Sequence, residues 1–396
     1  MTFDTLQHTE IQDGNRGDGH LPSVNPNKAI HAALASAIEM IQPEAWAYTL
    51  MQMDLISGYL QFTVAIGVVE ALKDGPQPIE GIASMCDVKN VRYLRQVMRD
   101  LANWGFYEER EGDTFANNKA SSTFLQNQHA SYWPYLKWVE ACRKLFFDGI
   151  TYTTLHKKLA DMEDVGLFHV ATQASGTDEI RPSWKYLRED QELARIMDNS
   201  MEQAPTHIAI IESVADNYDF SSISTLVEVA GGTGRLVNAI LAKYEKKQGV
   251  LFDLEDVTKY AQTKPHFIHA RCRTTNGSHL VHIPKLGDGV ILSGIIQSYD
   301  DDDATRILGN CARSLESGQK VILIDCLADP NELNWPMSIK SAQMLAFHGP
   351  GLEGCSPGVR RREDFYRLFD RSGMDLQIPI PLTNPPGHYI LEGIVR

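Results

Sequence analysis

The sequence predicts an α/β protein, with a doubly wound parallel sheet in its C-terminal half and a smaller helical unit before it. Three observations carry this expectation. From Ser224 onward the apolar runs TLVEVA, GVLFDL, DGVILSG and KVILIDCL suit strands buried on both faces. Helical patterns alternate with those runs, which is the rhythm of a doubly wound sheet. The first run also passes directly into a glycine-rich turn and the helical stretch RLVNAILAKY, an order that places a ligand at the carboxyl edge of an open sheet.

A chain of 396 residues exceeds one ordinary core, so roughly two or three units are expected. Residues 1–28 are polar, rich in Gly, Asn and Asp, and read as a disordered arm. Residues 29–120 form the first folded unit. Apolar residues recur at helical spacing in Ala32–Ile38 and at Met53, Ile56, Leu60, Val64, Ile66, Val69 and Leu72. These helices are apolar on more than one side, which calls for a covering surface, with a partner subunit as one candidate. Two short helices, Ile79–Met85 and Val91–Trp104, then precede two β-like runs around Glu111-Gly112-Asp113, the pattern of a winged helix. Its second helix mixes arginine with many apolar residues, favouring a structural or dimerising role over DNA binding. Residues 121–205 read as a helical linker, and residues 206–396 as the sheet domain.

Composition narrows the function classes. The formal net charge of −14 opposes a phosphate backbone, and no basic stripe offsets it, so nucleic acid is not expected as a partner. No stretch reaches the roughly 20 apolar residues of a membrane span. Cys86, Cys142, Cys272, Cys311, Cys326 and Cys355 lack metal or disulfide spacing and read as reduced thiols. The N-terminus shows no basic-then-apolar leader, so a cytoplasmic location is the default expectation.

The most informative stretch is LVEVAGGTGRL, residues 226–236. Gly231, Gly232 and Gly234 allow close backbone approach and positive φ. A dinucleotide fingerprint starting at Gly232 would need a third glycine at Val237, so that reading fails. Glu228 stands at the strand end, where a carboxylate accepts hydrogen bonds from an ammonium group or a ribose. Asp253 ends the second strand about 20 residues beyond the turn, the spacing of a ribose-binding acid. Together these suit an amino-acid-bearing nucleoside, S-adenosyl-L-methionine (SAM).

With these residues in place, the chain resembles the SAM-dependent small-molecule O-methyltransferases that carry an N-terminal winged-helix dimerisation domain. The resemblance covers roughly residues 40–396 through GYLQFTVAIGVVEAL, LRQVMRDLANWGFYEE, LVEVAGGTG, LFDLEDV and GVILSGIIQSYDDDDATRILGNCARSLESGQKVILIDCLADP. It implies a Rossmann-like class I methyltransferase domain, a homodimer, and a small-molecule acceptor, a secondary metabolite. SAM would lie across Glu228, Gly231, Gly232, Gly234 and Asp253, with Leu254, Ser278 and Ser293 as further cofactor contacts. Ser278 stands where the family commonly has an adenine-contacting acid.

The family's His-Asp-Trp motif, whose His removes the acceptor's proton, is replaced by Gln297-Ser298-Tyr299. An amide is no general base. The acid implied at the end of the fifth strand is present as Asp325, while the one often found near 360 is lost within Val359-Arg-Arg-Arg362. Three readings follow. Methyl transfer to nitrogen, an enol carbon or an already ionised oxygen can proceed by orientation alone. A SAM-holding pericyclase would instead use a hydrogen bond from Gln297, with His129 as a second polar group. An inactive binding subunit is the third, and the retained Glu228, glycines and Asp253 speak against it.

His348, in the Gly/Pro-rich MLAFHGPGLEGCSPG, is a candidate replacement base, and Met344, Phe347, Trp184 and Met201 are candidate pocket-lining residues. Asp300–Asp303 read as helix N-cap acids rather than a metal site. His266, His269, His279 and His282 read as surface histidines, and no metal is expected.

Overall fold

The computed structural model describes residues 43–126, 128–142, 190–328, 360–385 and 387–396. The expected Ala32–Ile38 helix, Trp184, Met344, Phe347, His348 and Cys355 lie outside the described residues.

In the N-terminal unit, α1 (Pro43–Ala65) and α2 (Val68–Ala71) are separated at Gly67, whose φ of 87° interrupts the helix. α3 (Ile79–Met85) and α4 (Val91–Asn103) follow. The Asn90 side chain accepts from the Tyr93 N–H and starts α4. The hairpin of β2 (Tyr107–Arg110) and β3 (Thr114–Asn117) turns where expected, with positive φ at Gly112 and Asp113. Strand β1 (Gln77–Pro78) joins β3 to give the order β1-β3-β2. Leu94, Val97, Met98 and Leu101 give α4 a buried face against Val68, Ile79 and Phe115. Its Arg95 is ion-paired with Glu80 and Asp113, and its Arg99 with Glu109 and Asp113, so these cations brace the wing instead of forming a basic reading face. After β3, α5 (Lys119–Ser122) is capped by Asn118.

Two helices lead into the sheet domain, α6 (Gln191–Gln203) and α7 (Pro205–Asn217). Asp190 caps α6, and Pro205, which has no N–H to donate, separates the two.

The four expected strands appear as β4 (Thr225–Val229), β5 (Gln248–Asp253), β7 (Gly289–Ser293) and β8 (Lys320–Ala328), with β6 (Cys272–Asn276) beside β5. They run parallel in the order β8-β7-β4-β5-β6. The C-terminal strands β12 (His388–Val395) and β10 (Met374–Leu376) extend the sheet antiparallel beyond β8. Short strands β9 (Arg360–Arg361) and β11 (Ile380–Pro381) pair with β8 and β12.

Period-two alternation sends Val227, Val229, Val250, Phe252, Val290 and Leu292 to one face, under α10 (Asp301–Arg313) and α11 (Arg362–Arg371). Leu226, Leu251, Ile291, Ile322 and Ile324 face the other way, under α7 and α8 (Arg235–Lys243). From β4 the order proceeds to β5 on one side and to β7 on the other. This switch point opens a crevice at the carboxyl ends of β4, β5 and β7. Among the described residues no helix is long and apolar enough to cross a membrane.

Candidate functional site

The crevice is built around the turn between β4 and α8. Ala230, Gly232 and Gly234 have positive φ, whereas Gly231 does not. The expectation for Gly231 is therefore corrected, since space and not φ requires glycine there. A Cβ at that position would meet Glu228 Cδ at 2.4 Å.

Glu228 lies beneath the turn because its β4 parity puts it on the α8 face. Its Oε2 accepts the Val237 N–H at 3.1 Å in the first turn of α8, satisfying a helix donor that would otherwise be unpaired. The residue is 3% exposed. Burial pushes its carboxyl up to about 8, the Val237 N–H opposes the rise, and the charge of Asp253 adds to it. Asp253, at the end of β5, accepts the Gly232 N–H at 2.9 Å through Oδ2 and the Leu254 N–H at 2.7 Å through Oδ1. One carboxylate thus pins the glycine turn and the residue that leads into α9 (Glu255–Ala261). Leu254 is the N-cap residue of α9, with an exposed side chain.

Beyond β5, the Gly277 N–H donates to the Asp253 carbonyl, which brings Ser278 beside that strand end. His279 and His266 correct the expectation of surface histidines. His279 is half-buried and hydrogen-bonded at 2.9 Å to the Tyr299 hydroxyl. Burial lowers its imidazole to about 4, and burial followed by the charges of Asp303 and Asp253 raises the Tyr299 phenol to about 12. His266 donates to the Thr233 carbonyl inside the glycine turn at 3.0 Å.

Ser293 ends β7 in register with Ile324, and Gly294 donates its N–H to the Ile324 carbonyl, so Asp325 is the next residue of the adjacent strand. Asp325 is buried, with one carboxylate oxygen accepting its neighbour Cys326's N–H. The short 3₁₀ turn Ile296–Ser298 carries Gln297, which is 9% exposed. Its Nε2 donates to the Gly294 carbonyl at 3.1 Å, and its Oε1 is buried without a hydrogen-bond partner. The amide oxygen is thus a candidate acceptor, and Nε2 carries a second N–H beyond the one given to Gly294.

Arg360, which the sequence marked only as the region of a missing acid, holds this turn. Its side chain is 4% exposed, with Nε on Asp301 Oδ1 at 2.9 Å, Nη1 on the Ile296 carbonyl at 2.8 Å and Nη2 on the Tyr299 carbonyl at 2.6 Å. The pairing of β9 with Leu327–Ala328 fixes its backbone. A single buried guanidinium thereby joins β8, the Gln297 turn and α10, and its charge is compensated by Asp301 and two carbonyls. Asp300 caps α10 by accepting the Asp303 N–H, as the acid run suggested, but the helix begins at Asp301, so the other acids lie in its first turn.

The strand ends thus bring together Glu228, Gly231, Gly232, Gly234, Asp253, Leu254, Ser278, Ser293, Gln297 and Asp325. His129 is exposed, hydrogen-bonded to Glu212 at 3.1 Å and against Arg235 Nη2 at 3.3 Å, beside the start of α8. Among the described residues no group of three His, Cys, Asp or Glu side chains could hold a metal ion.

A glycine turn at a sheet switch point, flanked by a carboxylate on the next strand, defines a class I SAM-methyltransferase type of fold. Residues 152–374 match the O-methyltransferase domain model, and the chain belongs to that family of SAM-dependent enzymes of secondary-metabolite biosynthesis. Phenazine O-methyltransferase PhzM of Lysobacter antibioticus is 26% identical over 341 residues, covering 84% of this chain and 92% of that protein. The mitomycin biosynthesis 6-O-methyltransferase of Streptomyces lavendulae is 23% identical over 375 residues, covering 91% and 95%. The fold is also that of human N-acetylserotonin methyltransferase, solved in complex with SAM, with a TM-score of 0.74 at 15% identity over 90% of this chain and 98% of that one.

Proposed function

We propose that this chain binds SAM at the β4–α8 turn and transfers its methyl group to an aromatic or heteroaromatic small molecule, by orientation and without a histidine base. The carrying observation is the Gly232–Asp253 hydrogen bond, which prepares the turn beside a strand-end carboxylate. Bound SAM supplies an electrophilic methyl group on a sulfonium. The N–H groups of the turn and the Asp253 carboxylate suit its amino-acid and ribose portions, and Leu254, Ser278 and Ser293 line the neighbouring strand ends. Glu228 supports the same turn from below.

On the acceptor side, Gln297 offers a hydrogen-bond acceptor to an N–H or O–H of the nucleophile, with Asp325 on the neighbouring strand end. Such groups orient a donor but leave its proton to solvent or to another base, which favours nitrogen or an acidic hydroxyl as the methylated atom. The relatives named for phenazine and mitomycin chemistry support an aromatic natural product as acceptor. The exposed apolar residues of the N-terminal unit support a homodimer.

A direct test incubates the protein with SAM and a panel of phenazine carboxylic acids, hydroxyquinones, hydroxynaphthoic acids and aromatic amines, read by mass spectrometry. The expected result is a product heavier by one methylene with an equal amount of S-adenosylhomocysteine (SAH). A product of unchanged mass with SAM unconsumed would overturn methyl transfer.

A further inference from the structure

Outside the crevice, a half-buried polar cluster lies where α6 meets the glycine turn. Glu202, at the end of α6, pairs through Oε2 with Lys264 Nζ at 2.6 Å, and the two side chains are 8% and 13% exposed. Lys264 also donates to the Tyr260 hydroxyl at 2.8 Å and sits over that ring, while the Tyr260 hydroxyl donates to Asn199 Oδ1 of α6 at 2.7 Å. His266 stands with Nδ1 at 3.7 Å from Glu202 Oε1 and gives its Nε2–H to the Thr233 carbonyl. Arg235, the first residue of α8, donates to the Glu202 carbonyl at 2.9 Å.

The glycine turn is therefore held from two sides, by Asp253 from the sheet and by His266 from the α6 junction. Pro205 breaks α6 from α7, and the buried Met197 of α6 packs on Trp138 and Cys142 of the preceding helical segment. A buried ion pair adds little net stability over apolar packing, so its presence here calls for another role, and the geometry supplies one.

We propose that Glu202 is a positioning residue for the cofactor turn, acting through Lys264, His266 and Arg235 so that ligand binding at the turn also orders helix α6. This inference rests on the SAM-binding reading. Order gained at the turn passes to α6 through the His266–Glu202 approach and the Arg235–Glu202 hydrogen bond, and order lost at α6 loosens the turn, as reciprocal coupling requires.

The test is hydrogen exchange of the full chain with and without SAH, joined to calorimetric SAH binding. In the wild type, SAH is expected to slow exchange in residues 230–236 and in residues 191–203. His266→Leu cuts the bond to Thr233 but leaves the Glu202–Lys264 pair in place. It should weaken SAH binding about 5-fold or more, the lower range of common coupling, and remove the SAH-dependent protection of residues 191–203 while their ligand-free exchange stays unchanged. Glu202→Gln, which keeps the side-chain volume but removes the charge beside Lys264 and His266, should weaken SAH binding likewise and lose the SAH-dependent protection of residues 191–203. Wild-type affinity and retained α6 protection in both variants would overturn the proposal, as would wild-type protection confined to residues 230–236. Wild-type protein that binds no SAH would remove the cofactor reading itself, a result distinct from a silent pair of variants.

Discussion

Gln297 and Glu228 show how one side chain's surroundings decide its chemistry. Gln297 has lost the basicity of a histidine and keeps a buried carbonyl oxygen without a partner, an arrangement that costs about 1–3 kcal/mol unless a ligand donor meets it. If orientation drives the reaction, Gln297→Ala should slow turnover only modestly, by roughly the 1 kcal/mol of one ordinary hydrogen bond, as followed by SAH release. A loss of roughly 100- to 1,000-fold would instead make its amide an oxyanion-type donor. Glu228 bears on pH. The folded chain holds its proton up to about 8, whereas the unfolded carboxyl titrates near 4.5, so the folded state binds more protons within that window. Stability from this group therefore falls as pH rises from about 4.5 to 8. Glu228→Gln keeps an oxygen for the Val237 N–H and carries no charge. Its melting temperature relative to wild type should rise across that window, and a difference independent of pH would show that the buried carboxyl does not titrate there.

At the scale of elements, the glycine turn is shaped by what lies under it. Gly231→Ala would drive a methyl group into Glu228, an overpacking that costs typically about 1–3 kcal/mol. The same substitution in a Glu228→Ala background removes the obstacle. A double-mutant cycle by chemical denaturation should therefore give a favourable coupling of about 1 kcal/mol or more between the two sites. Additive effects would mean that another contact requires glycine there.

At the scale of the whole molecule, the described residues of the N-terminal unit leave several large apolar side chains uncovered. Leu55 is 54% exposed and Met53 43% on α1, with Met85, Tyr93 and Trp104 exposed nearby. A second copy is the proposed cover, so light scattering at micromolar concentration should give twice the 44.3 kDa of one chain. Leu55→Glu should shift the particle toward the single-chain mass with little change in the far-ultraviolet helix signal. A wild-type particle of single-chain mass would remove the dimer.

The sequence by itself determined the parallel strands, because residues buried on both faces must be continuously apolar, and those runs cannot be hidden by composition. It also determined the turn and its flanking acid, because positive φ and a strand-end carboxylate leave local marks in Gly232, Gly234 and Asp253. The antiparallel β12 was not legible, since HYILEGIV interrupts its apolar run with Glu392 and Gly393 and acquires its identity by pairing with β8. Only tertiary structure decided the rest. Gly231 answers to the side chain of Glu228, His266 to the carbonyl of Thr233, and Arg360 to two carbonyls more than 60 residues earlier. Whether Glu228 faced a ligand or the helix above it depended on strand parity together with the placement of α8. Local sequence records backbone preference and burial, whereas these partners are chosen by the packing of elements distant in the chain.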